Sequence, residues 1–243
     1  LILLENPDFE TKSSYSFRVQ ATVGGENIVT VFTITVNDVD ETSLVNSFEL
    51  LQIIQSPELT ESDRFGVSFD ISGDSLGIVG EPGALVNGES IGLAHLIRKS
   101  EGGLWQIFAT IESPDGERGD SFGDNVKINE NYAFISSRDG LFQSFGAVYV
   151  FKRSASNPEQ WNFLKKITES PQVRLGVFGN SMDLNDSLLY VGNVNEELSI
   201  YGQNVGGQDN WGLFQKITNT DAANFGVSLA VKGDTLLVGA PDA

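Results

Sequence analysis

Cysteine is absent from the 243 residues, which excludes disulfide frameworks, thiolate nucleophiles and Cys-ligated zinc. Histidine occurs once, as His95, and leaves no room for a multi-histidine metal centre. Basic residues are few: 15 Lys and Arg stand against 33 Asp and Glu, for a formal net charge of -18. A phosphate backbone or an anionic membrane surface repels such a chain unless a basic patch intervenes, and the sequence carries none. No nucleic acid is expected among its partners. Long apolar runs are also missing, the longest resembling Leu236 to Ala240, far short of the ~18–20 residues that span a bilayer. No transmembrane segment is expected in this stretch. The chain opens on Leu1 and shows no basic region followed by an apolar run of signal-peptide length. It reads as a window from a longer protein.

What is present is globular: 40% hydrophobic and 10% aromatic residues, with 26 glycines. The dipeptide Phe-Gly recurs as Phe65-Gly66, Phe122-Gly123, Phe178-Gly179 and Phe225-Gly226, at intervals of 57, 56 and 47 residues. A second marker travels with it. Phe48, Trp105, Trp161 and Trp211 head the related runs FELLQII, WQIFATI, WNFLKKI and WGLFQKI, each shortly before the next Phe-Gly. Periods near ~50 residues mean one array unit each.

Within a unit the apolar residues alternate, as in Phe69 and Ile71, Val126 and Ile128, Met182 and Leu184, and Leu229 and Val231. Period two predicts strands with one buried face. Polar turns follow at Ser72 to Ser75, Asn129 to Asn131, Asn185 to Ser187 and Lys232 to Thr235, leading into second alternating runs through Leu76 and Ile78, Ala133 and Ile135, Leu189 and Val191, and Leu236 and Val238. Third strands are expected over 92–99, 146–153 and 198–201, and the Trp-headed runs supply the fourth. No segment has helix periodicity. Four strands per unit is the count of a propeller blade. A β-helix coil is much shorter than this period, and sandwich units run nearer ~100 residues. The predicted fold is therefore all-β: a partial β-propeller of about three and a half four-stranded blades over residues 43–243.

The run Phe225-Gly-Val-Ser-Leu-Ala-Val-Lys-Gly-Asp-Thr-Leu-Leu-Val-Gly-Ala-Pro241 resembles the FG-GAP repeat of integrin alpha-chain propellers, as does the stretch from Phe65 to Pro82. The resemblance implies a seven-bladed ring, completed by residues beyond Ala243. Residues 1–42 lack the repeat. They form a candidate hairpin around Gly24-Gly25, with strong alternation from Ile28 to Val36, and end in Asn37-Asp-Val-Asp-Glu41. This part resembles the C-terminal portion of a cadherin-type, Ig-like sandwich. That likeness implies calcium, with Asp8 and Glu10 at one edge of an interdomain site and Asp38, Asp40 and Glu41 in the closing motif. Hard Ca²⁺ takes six to eight oxygens, so carboxylates must converge from separate loops. Asp40 and Glu41 stand where that family has Asn and Asp.

Other features read as structural. The hairpin turns carry one or two acids each (Asp74, Glu130, Asp183 with Asp186, Asp234), too few for a cation loop. Arg118-Gly119-Asp120 spells an adhesion tripeptide, but neighbouring units also carry Arg, Gly or Asp there. His95 holds the strand position of Tyr149 and is expected to pack. Trp105, Trp161 and Trp211 repeat at one place in the unit and are expected to be structural, like the periodic Phe-Gly pairs. No Asp-box of sialidase type precedes Trp161. The expected function is non-enzymatic adhesion or recognition by an extracellular or cell-surface protein, calcium-dependent through the cadherin-like part, with a protein or glycan ligand at propeller loops. The alternative is a glycan-binding or glycan-cleaving propeller whose active site lies outside this stretch.

Overall fold

A computed structural model describes the backbone of residues 14–23 and 26–35, and residues 50–58, 62–138, 145–169, 178–185, 187–193, 196–221 and 223–241 in full. The chain divides into two compact units, Leu1–Leu51 and Gln52–Ala243. In the first, β1 (Ser14–Val23) pairs antiparallel with β2 (Glu26–Thr35), in unbroken register from Ser14 opposite Thr35 to Val23 opposite Glu26.

The second unit is a succession of antiparallel meanders. The first sheet joins β3 (Phe69–Ser72), β4 (Leu76–Glu81), β7 (Leu93–Lys99) and β8 (Trp105–Glu112), with a small ribbon of β5 (Leu85–Val86) and β6 (Glu89–Ser90) inserted between its second and third strands. A second sheet follows from β9 (Val126–Ile128), β10 (Tyr132–Ser137), β11 (Ala147–Arg153) and β12 (Trp161–Thr168). The third contains β13 (Ser181–Asn185), β14 (Leu188–Gly192), β15 (Glu197–Gly202) and β16 (Gly212–Thr218). The chain then contributes β17 (Ser228–Lys232) and β18 (Thr235–Gly239). Three four-stranded sheets and a two-stranded one make a partial, blade-like all-β fold; no helix occurs among the described residues.

Alternation explains how the sheets stack. Opposite residues of an antiparallel pair share a face, so Ile78 and Leu96 lie together on one side of the first sheet, and Val126 with Ile135, and Tyr149 beside them, on one side of the second. These two sides meet in one buried cluster with Phe122. The far side of the second sheet, Phe134 and Val148, meets Met182, Leu189 and Val191 of the third. Tyr190 and Ile200 then meet Leu229, Val231 and Val238. Each sheet thus lays its rear face on the front face of the next. Burying such a side chain contributes ~1.5–3 kcal/mol.

Two sequence expectations need correction. Phe69 and Ile71 were expected on a buried face but are 68% and 52% exposed, because their face is the front of the first sheet and no earlier sheet covers it among the described residues. Leu76 and Ile78 are not the equivalents of Ala133 and Ile135. Ser72 pairs with Leu76, leaving a three-residue loop that begins at Gly73 (φ 59°), whereas Asn129 bonds Tyr132 around a two-residue loop. The extra residue shifts the first sheet by one, and Gly77 and Val79 take those places.

Three sheets carry a β-bulge at one equivalent place, between Leu96 and Ile97, Val150 and Phe151, and Ile200 and Tyr201. A bulge bends the strand that carries it and sharpens the local twist.

The turn before β16 is tied to the second sheet by Asp209. Its carboxylate accepts from Lys152 at 2.6 Å and from the Tyr132 hydroxyl and Gln203. The Lys152 hydrogen bond, then those of Tyr132 and Gln203, hold Asp209 down at about 2. A carboxyl depressed below its unfolded value of ~3.9 contributes stability above that value and loses it as pH falls towards about 2. Denaturation midpoints of the wild type and Asp209→Asn are therefore expected to differ at pH 6 and converge near pH 2; a constant gap across that range would remove the assignment.

Candidate functional site

The described residues of the second unit form recesses, two of which are lined by polar side chains. One, of about 280 Å³, lies where the first strands converge, among Ser68, Asn125, Lys127, Ser181 and Ser228. Its walls are latched by side chains that bond the next sheet's backbone. The Asp70 carboxylate accepts the Ile128 N–H at 2.8 Å, and that of Asp183 accepts the Val231 N–H at 2.6 Å. Lys127 stands between them, 3.0 Å from Asp183 and 4.0 Å from Asp70. Burial raises the Asp70 carboxyl against these bonds. Every charged group here serves a neighbouring sheet, so the recess reads as a structural hub. Asp183, assigned to a turn by sequence, lies within β13 and performs this latching.

The other recess has a different chemistry. It is a cavity of about 340 Å³ on the front flank of the first sheet, lined by Glu58, Glu81, Glu112, His95 and Thr110, with Leu85, Val86 and Leu93 as apolar wall. The wall is available because the β5–β6 ribbon folds over the end of β4, with Asn87 (φ 53°) and Gly88 (φ 83°) supplying its left-handed turn. His95 and Glu81 are each only 2% exposed. His95 Nε2 lies 2.5 Å from Glu81 Oε2, its Nδ1 lies 3.1 Å from Thr110 Oγ1, and the ring of Phe65 tilts against the imidazole at 5.6 Å. An imidazole bonded on both nitrogens is fixed in orientation. The expected packing role of His95 is thus joined to a polar one. Three carboxylates face this cavity and no Lys or Arg lines it.

The remaining candidates sort clearly. Asp8, Glu10, Asp38, Asp40 and Glu41 lie outside the described residues. Asp120 of the Arg118-Gly119-Asp120 tripeptide is buried, its carboxylate accepting the Glu117 N–H at 2.7 Å, while Gly119 N–H bonds Ser90 O. The tripeptide is built into a turn. Trp211 is fully buried, and Trp161 packs partly buried on the first inter-sheet cluster. Trp105 is held by Gln52, which accepts its N–H and donates to its carbonyl. Gly66, Gly123, Gly179 and Gly226 all have positive φ, between 83° and 98°, which explains why glycine follows each phenylalanine. Sequence reasoning missed Glu58, Glu81 and Thr110 as a group, because each lies in a different strand or loop.

No family model matches the sequence, and no curated protein aligns with it. Among solved structures, the chain is similar to the computationally designed Ika4 protein, with a TM-score of 0.48 and 13% identity over 79% of this chain and 93% of that one. It is also similar to the computationally designed Ika8 protein, with a TM-score of 0.43 and 11% identity over 73% of this chain and 43% of that one. Neither likeness is close enough to carry a functional argument.

Proposed function

We propose that this chain is a non-enzymatic recognition segment of an extracellular or cell-surface adhesion protein, in which an integrin-like propeller binds a protein ligand. The observation that carries this reading is the carboxylate-lined cavity on the flank of the first sheet, a concave site with apolar walls and a few convergent polar groups. Rigid stacked sheets with loops and flanks on display suit docking. Calcium belongs to the proposal through Asp8, Glu10, Asp38, Asp40 and Glu41 of the cadherin-like part. Isothermal titration of the chain with CaCl₂ is expected to release heat that is lost in Asp38→Asn/Asp40→Asn; absence of heat at millimolar calcium would remove the metal.

One observation favours a second reading. Thr110, His95 and Glu81 stand in the order hydroxyl, imidazole, carboxylate, which is the order of a hydrolytic relay. Solid-phase adhesion of the chain to arrayed matrix proteins and glycans, paired with hydrolysis assays on the same surfaces, separates the two. Saturable adhesion without turnover is expected, and turnover that disappears in His95→Gln would overturn it.

A further inference from the structure

We infer that the cavity beside His95 is a lysine-binding pocket: a repeat position whose own lysine is missing and which takes an ammonium group from a protein ligand. The inference rests on the recognition reading above and names the chemistry of its partner.

The repeat itself supplies the template. Val79 pairs with His95 in the first sheet, Ile135 with Tyr149 in the second and Val191 with Ser199 in the third, so these three partners are equivalent. The residues opposite them on the outer strand are Thr110, Lys166 and Lys216. Each is the fifth residue after its heading tryptophan. In the second sheet, Lys166 Nζ lies 3.0 Å from Asp115 and 4.9 Å from the centre of the Tyr149 ring, whose hydroxyl donates to the same Asp115 at 2.6 Å. In the third, Lys216 is paired with Glu197. The fold therefore holds an ammonium at this place in two sheets, each time against a carboxylate.

The first sheet keeps a counterpart of Asp115 and loses the base, while Leu93 stands where the third sheet has Glu197. Asp115 closes the tripeptide Ser113-Pro114-Asp115, which begins eight residues after Trp105; Ser56-Pro57-Glu58 begins eight residues after Phe48. Glu58 is thus the counterpart of Asp115, and it lines the cavity together with Glu81 and Glu112. Thr110 is shorter than lysine, and the smaller His95 replaces a tyrosine. The space those side chains fill in the second sheet remains open here. An incoming lysine meets Glu58 and Glu112 with its ammonium and Leu85, Val86 and Leu93 with its methylenes. His95 presents an aromatic ring where Tyr149 does.

The single histidine gives one imidazole signal, so NMR titration of the chain with N-acetyl-lysine methylamide reads the site directly. A saturable shift of the His95 resonances is expected, with Kd on the order of 1 mM. N-acetylnorleucine methylamide, which lacks the ammonium, is expected to leave them in place. Thr110→Lys supplies the missing base from within and is expected to abolish the shift while the thermal midpoint is retained. Should that variant fail to fold, Glu58→Gln/Glu112→Gln is expected to weaken binding at least 10-fold. Equal response to both amides, no response at 50 mM, or undiminished binding in a folded Thr110→Lys or in the double variant would each overturn the inference. Adhesion that persists in Thr110→Lys would reject the lysine pocket alone; a wild type that adheres to nothing would reject the recognition reading.

Discussion

Truncating Trp211 to alanine is expected to destabilise the chain by about 3–5 kcal/mol, the range for a large aromatic removed from a packed core. The indole is fully buried and meets Phe134 edge-on at 4.8 Å and Tyr132 at 5.2 Å. It is shared by two sheets, because those partners belong to β10 and Trp211 directly precedes β16. Its removal opens a void that neither sheet can close alone. Trp211 Nε1–H meets no acceptor among the described residues, so Trp211→Phe removes an unsatisfied donor along with some volume and is expected to cost clearly less than the alanine change. Guanidinium unfolding of both variants checks this. A loss below ~1 kcal/mol for Trp211→Ala would mean that the second and third sheets do not pack through this residue.

The second large effect is expected at Gly123. At φ 94° a side chain is strained, and an added Cβ would stand 2.3 Å from Leu93 O and 3.1 Å from Glu81 N. Both neighbours are backbone of the first sheet, so nothing can rotate aside. Gly123 lies directly against the backbone of that sheet, and its N–H is committed to Ser136 O. Gly123→Ala is expected to cost more than ~4 kcal/mol or to prevent folding. Gly66 has the same sequence context and a φ of 83°, yet nothing lies within 4 Å of its added Cβ. Gly66→Ala is expected to cost only the left-handed backbone penalty of ~1–2 kcal/mol. Equal losses at the two sites, measured by thermal unfolding, would contradict the stacking order, in which no earlier sheet covers the first sheet's front among the described residues.

The strand plan was legible in the sequence because alternation, turn chemistry and the two travelling markers agree with one another. Residues 69–72, 126–128 and 181–185 become strands where alternation placed them, and the Trp-headed runs become outer strands. Burial was less legible. Phe69 and Val126 carry the same pattern, but among the described residues only Val126 has a sheet in front of it. The one-residue excess in the 73–75 loop was hidden as well, since Leu76 and Ile78 alternate as convincingly as Gly77 and Val79 do in fact. The bulges left no signal in composition, because the one-residue register shift at each is not tied to a particular side-chain type.

The cavity residues were out of reach for another reason. His95, Glu81 and Thr110 come from three strands, and only the pairing register brings them together. One signal was present all the same. Counting five residues from Trp105, Trp161 and Trp211 gives Thr, Lys and Lys, a break in the repeat that marks the first sheet as different. Breaks in a repeat point to function more directly than the repeat does, because the structural requirement is already met by the other units.

The equivalence of these three positions is tested most directly by a crystal structure of Thr110→Lys. The introduced ammonium is expected within 4 Å of a Glu58 or Glu112 carboxylate oxygen, with its methylenes along Leu85 and Leu93, repeating the pairing of Lys166 with Asp115. A lysine directed into solvent, with the cavity open beside His95, would contradict the account.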